Sequence, residues 1–549
     1  MISRRSFLAS TSVIVGAVGL TGNFPAFAAD RPLVKVTGGN AQGVVENGSM
    51  AFRGLPYAAD TSGANRFKAP QPVTPWEGAI DASEYGHMVP QIRSTLGFND
   101  PMFEWYYQPQ QMGEDGLVLN VYTPDLDQNA GRPVMFYIHG GGYINGSGGG
   151  TGLNGGPLAR YGDVVVVTIN HRLNAFGYTA WSHLDSENFG DAVNAGHLDI
   201  IAALEWVRDN IATFGGDPNN VTLFGQSGGG SKIMSLIAMP GAQGLFHKAI
   251  SMSGAAGLNL DPQEELQPYA DAFLAELGLT PDELSTAQHL TTDFVLDARM
   301  RAVRDTFEGA RPAIDGKHIL YQSMSPEGMA LHADVPLMFG HTKTESTLFM
   351  RSDMRNFDIT EEQMRSRLKA GFGIDDSKVD EIIAGYHEAD ADMTPSDILF
   401  AITSDVQFRL PLTNAAVTRS STDGQAPVWI YNFAWEIPRD DGELGSPHAV
   451  DIPFAFGTLD AAGAMIGTGD AAHETALNMM SAFVAFARNG DPNNDRLPEW
   501  LPYNGDTRIS MLMQAEPVAA SDWRGAGRDA VSDLVMDPFN RASLWRYQE

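Results

Sequence analysis

The chain has 549 residues, of which 43% are hydrophobic and 19% charged, the balance of a soluble globular protein with ample core. A formal net charge of −31 argues against nucleic-acid or anionic-membrane partners, since both repel an acidic surface. The absence of cysteine excludes disulfides, thiolate nucleophiles, zinc–thiolate sites and cysteine-held iron–sulfur clusters.

The first 29 residues read as a targeting segment. Ser3-Arg4-Arg5-Ser6-Phe7-Leu8 is a twin-arginine pattern, an apolar stretch runs from Val13 to Leu20, and Ala26-Phe27-Ala28 has the small-x-small form of a cleavage site. The apolar stretch is short for a spanning helix. The expectation is a Tat-type signal peptide, removed on export of the folded protein to the periplasm or beyond, with residues 30–549 as one catalytic domain.

Strand-length apolar runs then alternate with helical patterns. They are Val134 to Ile138, Val164 to Ile169, Val221 to Phe224, Lys248 to Met252, Val335 to Phe339 and Val428 to Phe433. Continuous apolar runs suit central strands of a parallel sheet covered on both faces. Between the second and third, Ile200, Ile201, Leu204, Val207 and Ile211 fall at helical spacing, and Gly215-Gly216 ends that helix. The predicted fold class is α/β, with a mainly parallel central sheet and helices on both faces. Residues near 259–333 and 351–405 are charged, of helical period and without strong strands, which predicts helical cap insertions.

Ser227 lies in Gly225-Gln226-Ser227-Gly228-Gly229, directly after a strand run. A serine on a sharp strand-to-helix turn stands clear of its backbone, with a helix N-terminus behind it. Acting as a nucleophile, it needs a base, a group that orients the base, and donors for an oxyanion. Val134 to Ile138 leads into His139-Gly140-Gly141-Gly142-Tyr143, a loop whose N–H groups can approach a ligand oxygen unobstructed. Gly141, Gly142 and Gly228 are the candidate donors. A phosphate-binding loop is the poorer reading, because a Walker lysine is missing.

Thirteen histidines compete for the base. His448, in a loop after Val428 to Phe433, and His341, after Val335 to Phe339, lead. Glu345 and Asp451 are the candidate acids. Ser366 and Lys369 form an S-x-x-K, but the charged helical stretch around them reads as solvated surface. Trp105, Tyr106 and Tyr107 form an aromatic cluster that either lines a pocket or packs in the core, and Tyr143 adjoins the oxyanion glycines.

Longer motifs carry a resemblance. Phe52-Arg53-Gly54-Leu55-Pro56-Tyr57-Ala58, Arg66-Phe67, Glu114-Asp115-Gly116-Leu117-Val118-Leu119-Asn120-Val121-Tyr122, Asn170-His171-Arg172-Leu173, Phe214-Gly215-Gly216-Asp217-Pro218 and Pro312-Ala313-Ile314-Asp315-Gly316 occur in order along the mature chain. With the two glycine motifs, the chain resembles the type-B carboxylesterase family, which includes bacterial para-nitrobenzyl esterases and the cholinesterases. The resemblance implies an α/β-hydrolase fold with a gorge beneath cap insertions, and a triad of Ser227, Glu345 and His448, the last followed by Asp451-Ile452-Pro453-Phe454. It implies a small-molecule ester as partner and requires no metal or organic cofactor. A non-catalytic binding protein on the same scaffold is the alternative, as is the same triad acting on amides, carbamates or lactones. Three positions depart from the family pattern. Gly116 replaces a cysteine, Gly228 an alanine, and Gln226 the glutamate of many cholinesterases.

Overall fold

The six apolar runs become six adjacent strands of one sheet. In the computed structural model, which describes residues 31–92, 101–106, 111–306, 309–535 and 541–545, that sheet has eleven strands. In chain order they are β1 (Val44–Glu46), β2 (Ser49–Pro56), β3 (Val118–Thr123), β4 (Arg132–Ile138), β5 (Val165–Ile169), β6 (Gly216–Gln226), β7 (Lys248–Met252), β8 (Leu337–Thr342), β9 (Val428–Phe433), β10 (Ile509–Met513) and β11 (Val518–Ser521). Their spatial order is β11-β10-β9-β8-β7-β6-β4-β5-β3-β2-β1. From β5 through β10 every neighbour pair is parallel, while β1, β2, β3 and β11 run antiparallel to theirs. A separate three-stranded sheet joins Leu33–Val36, Gly39–Gln42 and Ala79–Asp81.

Burial explains which strands were legible. Every residue of β4, β5, β7, β8 and β9 is buried, the condition of strands covered on both faces. β2, one strand in from the edge, breaks that run with Arg53, Gly54 and Pro56, while β3 is buried throughout but holds Asn120, whose side chain bonds Gly54 N–H, Gly148 O and Thr168 Oγ1. β8 begins at Leu337, after Pro336, and runs on through Gly340 and His341 to Thr342. His341 therefore lies inside a strand, not beyond it.

The helix α1 (Ala195–Asn210) passes into a 3-10 turn, Ile211–Phe214, and stops at Gly215, whose φ of 80° is left-handed. It carries the buried Asp199, which accepts from the Arg172 N–H, Nε and Nη2 at 2.9, 2.8 and 2.6 Å. Both side chains are almost fully enclosed, so each neutralises a charge that water cannot reach. Breaking such a pair typically costs about 3–5 kcal/mol, because the survivor is left buried and unpaired. A second buried pair, Arg66 with Glu114, ties the 3-10 segment Pro281–His289 and its neighbour to the N-terminal region through Ala287 O and Leu290 O.

The two stretches expected as insertions are helical. In the first, Gln267–Glu276 packs on Thr292–Thr306, and Phe273 stacks on Trp181 at 5.3 Å. In the second, Glu361–Phe372, Asp376–Ala389 and Pro395–Ser404 share their own apolar cluster around Leu368, Ile382 and Tyr386. Thr360 with Gln363 and Thr394 with Asp397 form capping boxes that set two of these helix starts. Ser366 is exposed and Lys369 pairs with Asp376, so the S-x-x-K is helix surface.

At Gly116 the backbone of His87 and Val89 comes so close that a Cβ would sit 2.9 Å from Val89 N. The space of the family's cysteine is filled by main chain. Pro32–Glu549 forms one compact unit, and no helix among the described residues is long and apolar enough to cross a membrane. The signal segment expected over residues 1–29 lies outside the described residues.

Candidate active site

Ser227, the loop glycines Gly141 and Gly142, Glu345 and His448 each come after the C-terminal end of a parallel strand, where open α/β sheets place their ligand crevice. Ser227 follows β6, with φ 57° and ψ −122°, a conformation that non-glycine residues rarely adopt. Its N–H donates to Met252 O at 2.7 Å, and its carbonyl accepts from Ser231 N–H at 2.8 Å, starting the helix α2 (Gly228–Leu236). The turn is that sharp because β6 and α2 both press on the end of β4. A Cβ on Gly225 would lie 2.6 Å from Ile138 O, and one on Gly229 only 1.9 Å from it. Ser227 is left half-buried at a cavity wall.

β4 pairs in parallel with β6, Ile138 opposite Gly225, so the glycine loop after β4 arrives beside Ser227. Gly141 and Gly142 have φ of 82° and 62°. Among the described residues the N–H groups of Gly141, Gly142 and Gly228 donate to no protein acceptor. All three residues line the same cavity as Ser227.

His448 Nδ1 meets Glu345 Oε2 at 2.5 Å, and both side chains are buried. The carboxylate accepts, so Nδ1 carries the proton and Nε2 presents its lone pair. Glu345 Oε1 accepts from Ser253 Oγ at 2.6 Å and Thr342 N–H at 2.8 Å. Burial alone would raise the Glu345 carboxyl, but His448 and these hydrogen bonds outweigh it and hold it below the usual carboxylate range. At Nε2 the neighbour is the Gln226 amide, its Nε2 3.3 Å away; no hydrogen bond joins Ser227 Oγ to the imidazole.

The rivals are placed elsewhere. Asp451 accepts from Tyr431 Oη at 2.9 Å and does not bond His448; burial and the Glu345 charge push its carboxyl up to about 7. His341 bonds Thr342 O and Asn432, and burial pushes it down to about 4. Trp105 is a correction: it is not a pocket residue. Its ring lies against Gly152, where a Cβ would be 2.3 Å away, and its Nε1 donates to Met102 O at 2.8 Å. Tyr106 lines the cavity and also supports the loop, because its Oη accepts from Gly140 N–H at 2.7 Å. Tyr143 lines the cavity, edge-on to Tyr178. Tyr107 lies outside the described residues.

The cavity has a volume of about 950 Å³. Phe349 and Phe408 each place a ring 5.1 Å from the His448 ring, and Trp545 stacks on Phe349 at 5.1 Å. Phe408 is set by a π-helical segment, Asp405–Arg409, inside one long helical run. Leu410 N–H reaches back five residues to Asp405 O, and Pro411 next to it has no N–H and would crowd the carbonyl four residues earlier. Sequence reasoning passed over Phe349, Phe408, Ser253 and the contact of Gln226 with the base. Ser253 alone had a signal, being the first residue after β7.

A model of the Carboxylesterase family matches residues 30–526. The para-nitrobenzyl esterase of Bacillus subtilis (strain 168) is 34% identical over 494 residues, covering 88% of this chain and 95% of that protein. The phenmedipham hydrolase of Pseudarthrobacter oxydans is 32% identical over 497 residues, covering 88% and 96%. Among solved structures, a Geobacillus stearothermophilus carboxylesterase superposes with TM-score 0.78 at 31% identity, covering 91% of this chain and all of that one.

The contact at Nε2 makes a testable statement. Gln226→Glu replaces an amide beside the imidazole with an anion, which favours the protonated ring. A neutral base is then available only at higher pH, so the acidic limb of kcat/KM for a p-nitrophenyl ester moves upward by about 1–3 units. A limb that stays in place contradicts the contact.

Proposed function

We propose, from the premise that this chain belongs to the carboxylesterase family, that it is a serine carboxylic-ester hydrolase acting through an acyl-enzyme. One observation carries the reading: Ser227, His448, Gly141, Gly142 and Gly228 line a single cavity.

The substrate carbonyl enters with its oxygen toward the three glycine N–H groups. His448 Nε2 leaves the Gln226 amide, accepts the Ser227 proton and frees the oxygen to attack; such contacts tighten when substrate binds. Negative charge then develops on the carbonyl oxygen, which the three N–H groups stabilise as donors, and each such donor is worth roughly 10²–10³ in turnover. Glu345, kept ionised, stabilises the imidazolium and fixes its tautomer. The imidazolium passes its proton to the departing alcohol, and water repeats the sequence to release the acid. The aromatic wall of Phe349, Phe408 and Trp545 favours uncharged esters with a flat apolar group. The name of the para-nitrobenzyl esterase relative points the same way, and carbamates join the substrate panel because the same triad can serve them.

Residues 1–29 direct export in this account. Replacing Arg4 and Arg5 with lysine is expected to retain the precursor in the cytoplasm; mature protein in the periplasmic fraction contradicts it.

Ser227→Ala is expected to lower kcat for p-nitrophenyl butyrate by about 10⁴-fold or more. The wild type should turn over aryl esters faster than matched carbamates, amides or lactones. Full activity in Ser227→Ala overturns the mechanism, and a wild type without turnover on the whole panel favours the binding-protein alternative.

A further inference from the structure

Lys232 lies a turn along α2 from Ser227, fully buried. Among the described residues no carboxylate pairs with it, and burial pushes its ammonium down to about 7. Its Nζ donates to Gly142 O at 2.7 Å and His139 O at 3.3 Å, and it faces the Tyr143 ring at 5.3 Å. Three N–H bonds thus find two carbonyls and one aromatic face. The other titratable groups around it are His139 and His197, both pushed down to about 3 by burial and the lysine, and His171, held well below its usual value. An ammonium without a counter-ion is an expensive thing to bury. The mechanism above leaves it without a task.

The two carbonyls it holds give it one. His139 O belongs to the peptide plane joining residues 139 and 140, and Gly142 O to the plane joining 142 and 143. Between them lie only two planes, and those carry the N–H groups of Gly141 and Gly142. Lysine therefore fixes both ends of the oxyanion loop. Gly228 completes the arrangement, because a Cβ there would lie 2.1 Å from Gly142 O. Where the family's usual alanine would hold the loop off α2, glycine lets the Gly142 carbonyl settle within reach of Nζ.

We propose that Lys232 is a positioning residue that clamps the oxyanion loop from beneath, and that Gly228 is what gives the clamp its reach. The proposal rests on the serine-esterase reading. Its test compares wild type, Lys232→Met, Lys232→Gln, Gly228→Ala and Ser227→Ala on p-nitrophenyl butyrate, with affinity for a trifluoromethyl ketone as a measure of oxyanion binding. Lys232→Met should lose about 10–100-fold in kcat, less than the 10²–10³ of deleting a donor outright. KM should stay within about threefold, and the ketone should weaken by the same factor as kcat. Lys232→Gln, whose amide still donates, should recover part of the loss. Gly228→Ala should show the same kcat-selective loss, and it and Lys232→Gln decide the matter if Lys232→Met does not melt cooperatively. Folded lysine variants with wild-type kcat and ketone affinity overturn the clamp, as does a loss confined to KM. If Lys232→Met is unimpaired while Ser227→Ala is inactive, only the clamp fails. If Ser227→Ala keeps its activity, the esterase reading itself fails.

Discussion

The close approach of three backbone segments at the end of β4 is the constraint on which the site depends. β6 turns into α2 so tightly that Gly225 and Gly229 both lie where side chains would strike Ile138 O. Ser227, at the apex, takes a left-handed φ because the chain has no other way to reverse there. Strain of about 1–3 kcal/mol at such a residue persists only when the surroundings over-determine it. Here the parallel pairing of β4, β6 and β7 does so, with the Ser227 N–H fixed to Met252 O. The same packing brings the oxyanion loop against α2, so nucleophile and donors arise from one steric arrangement.

Electrostatics supply a second layer on the other side of the serine. Glu345 has no access to water, yet it stays ionised because Ser253, the Thr342 N–H and His448 all bond it. Asp451, close by with Tyr431 as its side-chain donor among the described residues, is pushed the opposite way. Two buried carboxyls near one histidine thus differ in behaviour, because His448 and the donors hold Glu345 down while burial and the Glu345 charge push Asp451 up. Only the one with three donors is equipped to steady an imidazolium.

Much of this was legible in the residues. The central strands could be read because they are buried on both faces, and the ends of Lys248–Met252 and Val428–Phe433 were read to the residue. Ser49–Pro56, one strand in from the edge, could not, since arginine, glycine and proline interrupt any apolar run. Ser227 and the glycines of the loop stood out because backbone geometry demands those residue types at that spacing. Glu345 and His448 did not stand out from composition or periodicity. A loop carboxylate and one histidine among many carry no local signature, and only the family resemblance singled them out. Trp105 was misjudged because an aromatic side chain is equally at home in a core or a pocket, and nothing local announces that Gly152 makes room for its ring. Lys232 escaped notice for a related reason: its meaning lies in two carbonyls some ninety residues earlier in the chain.

The central claim is that one serine and three backbone donors converge on one reacting carbonyl. A crystal structure of the protein after reaction with a fluorophosphonate tests it directly. The account predicts phosphorus bonded to Ser227 Oγ, with the phosphoryl oxygen about 2.7–3.1 Å from the nitrogens of Gly141, Gly142 and Gly228. An adduct on another residue, or a phosphoryl oxygen turned away from those glycines, would contradict it.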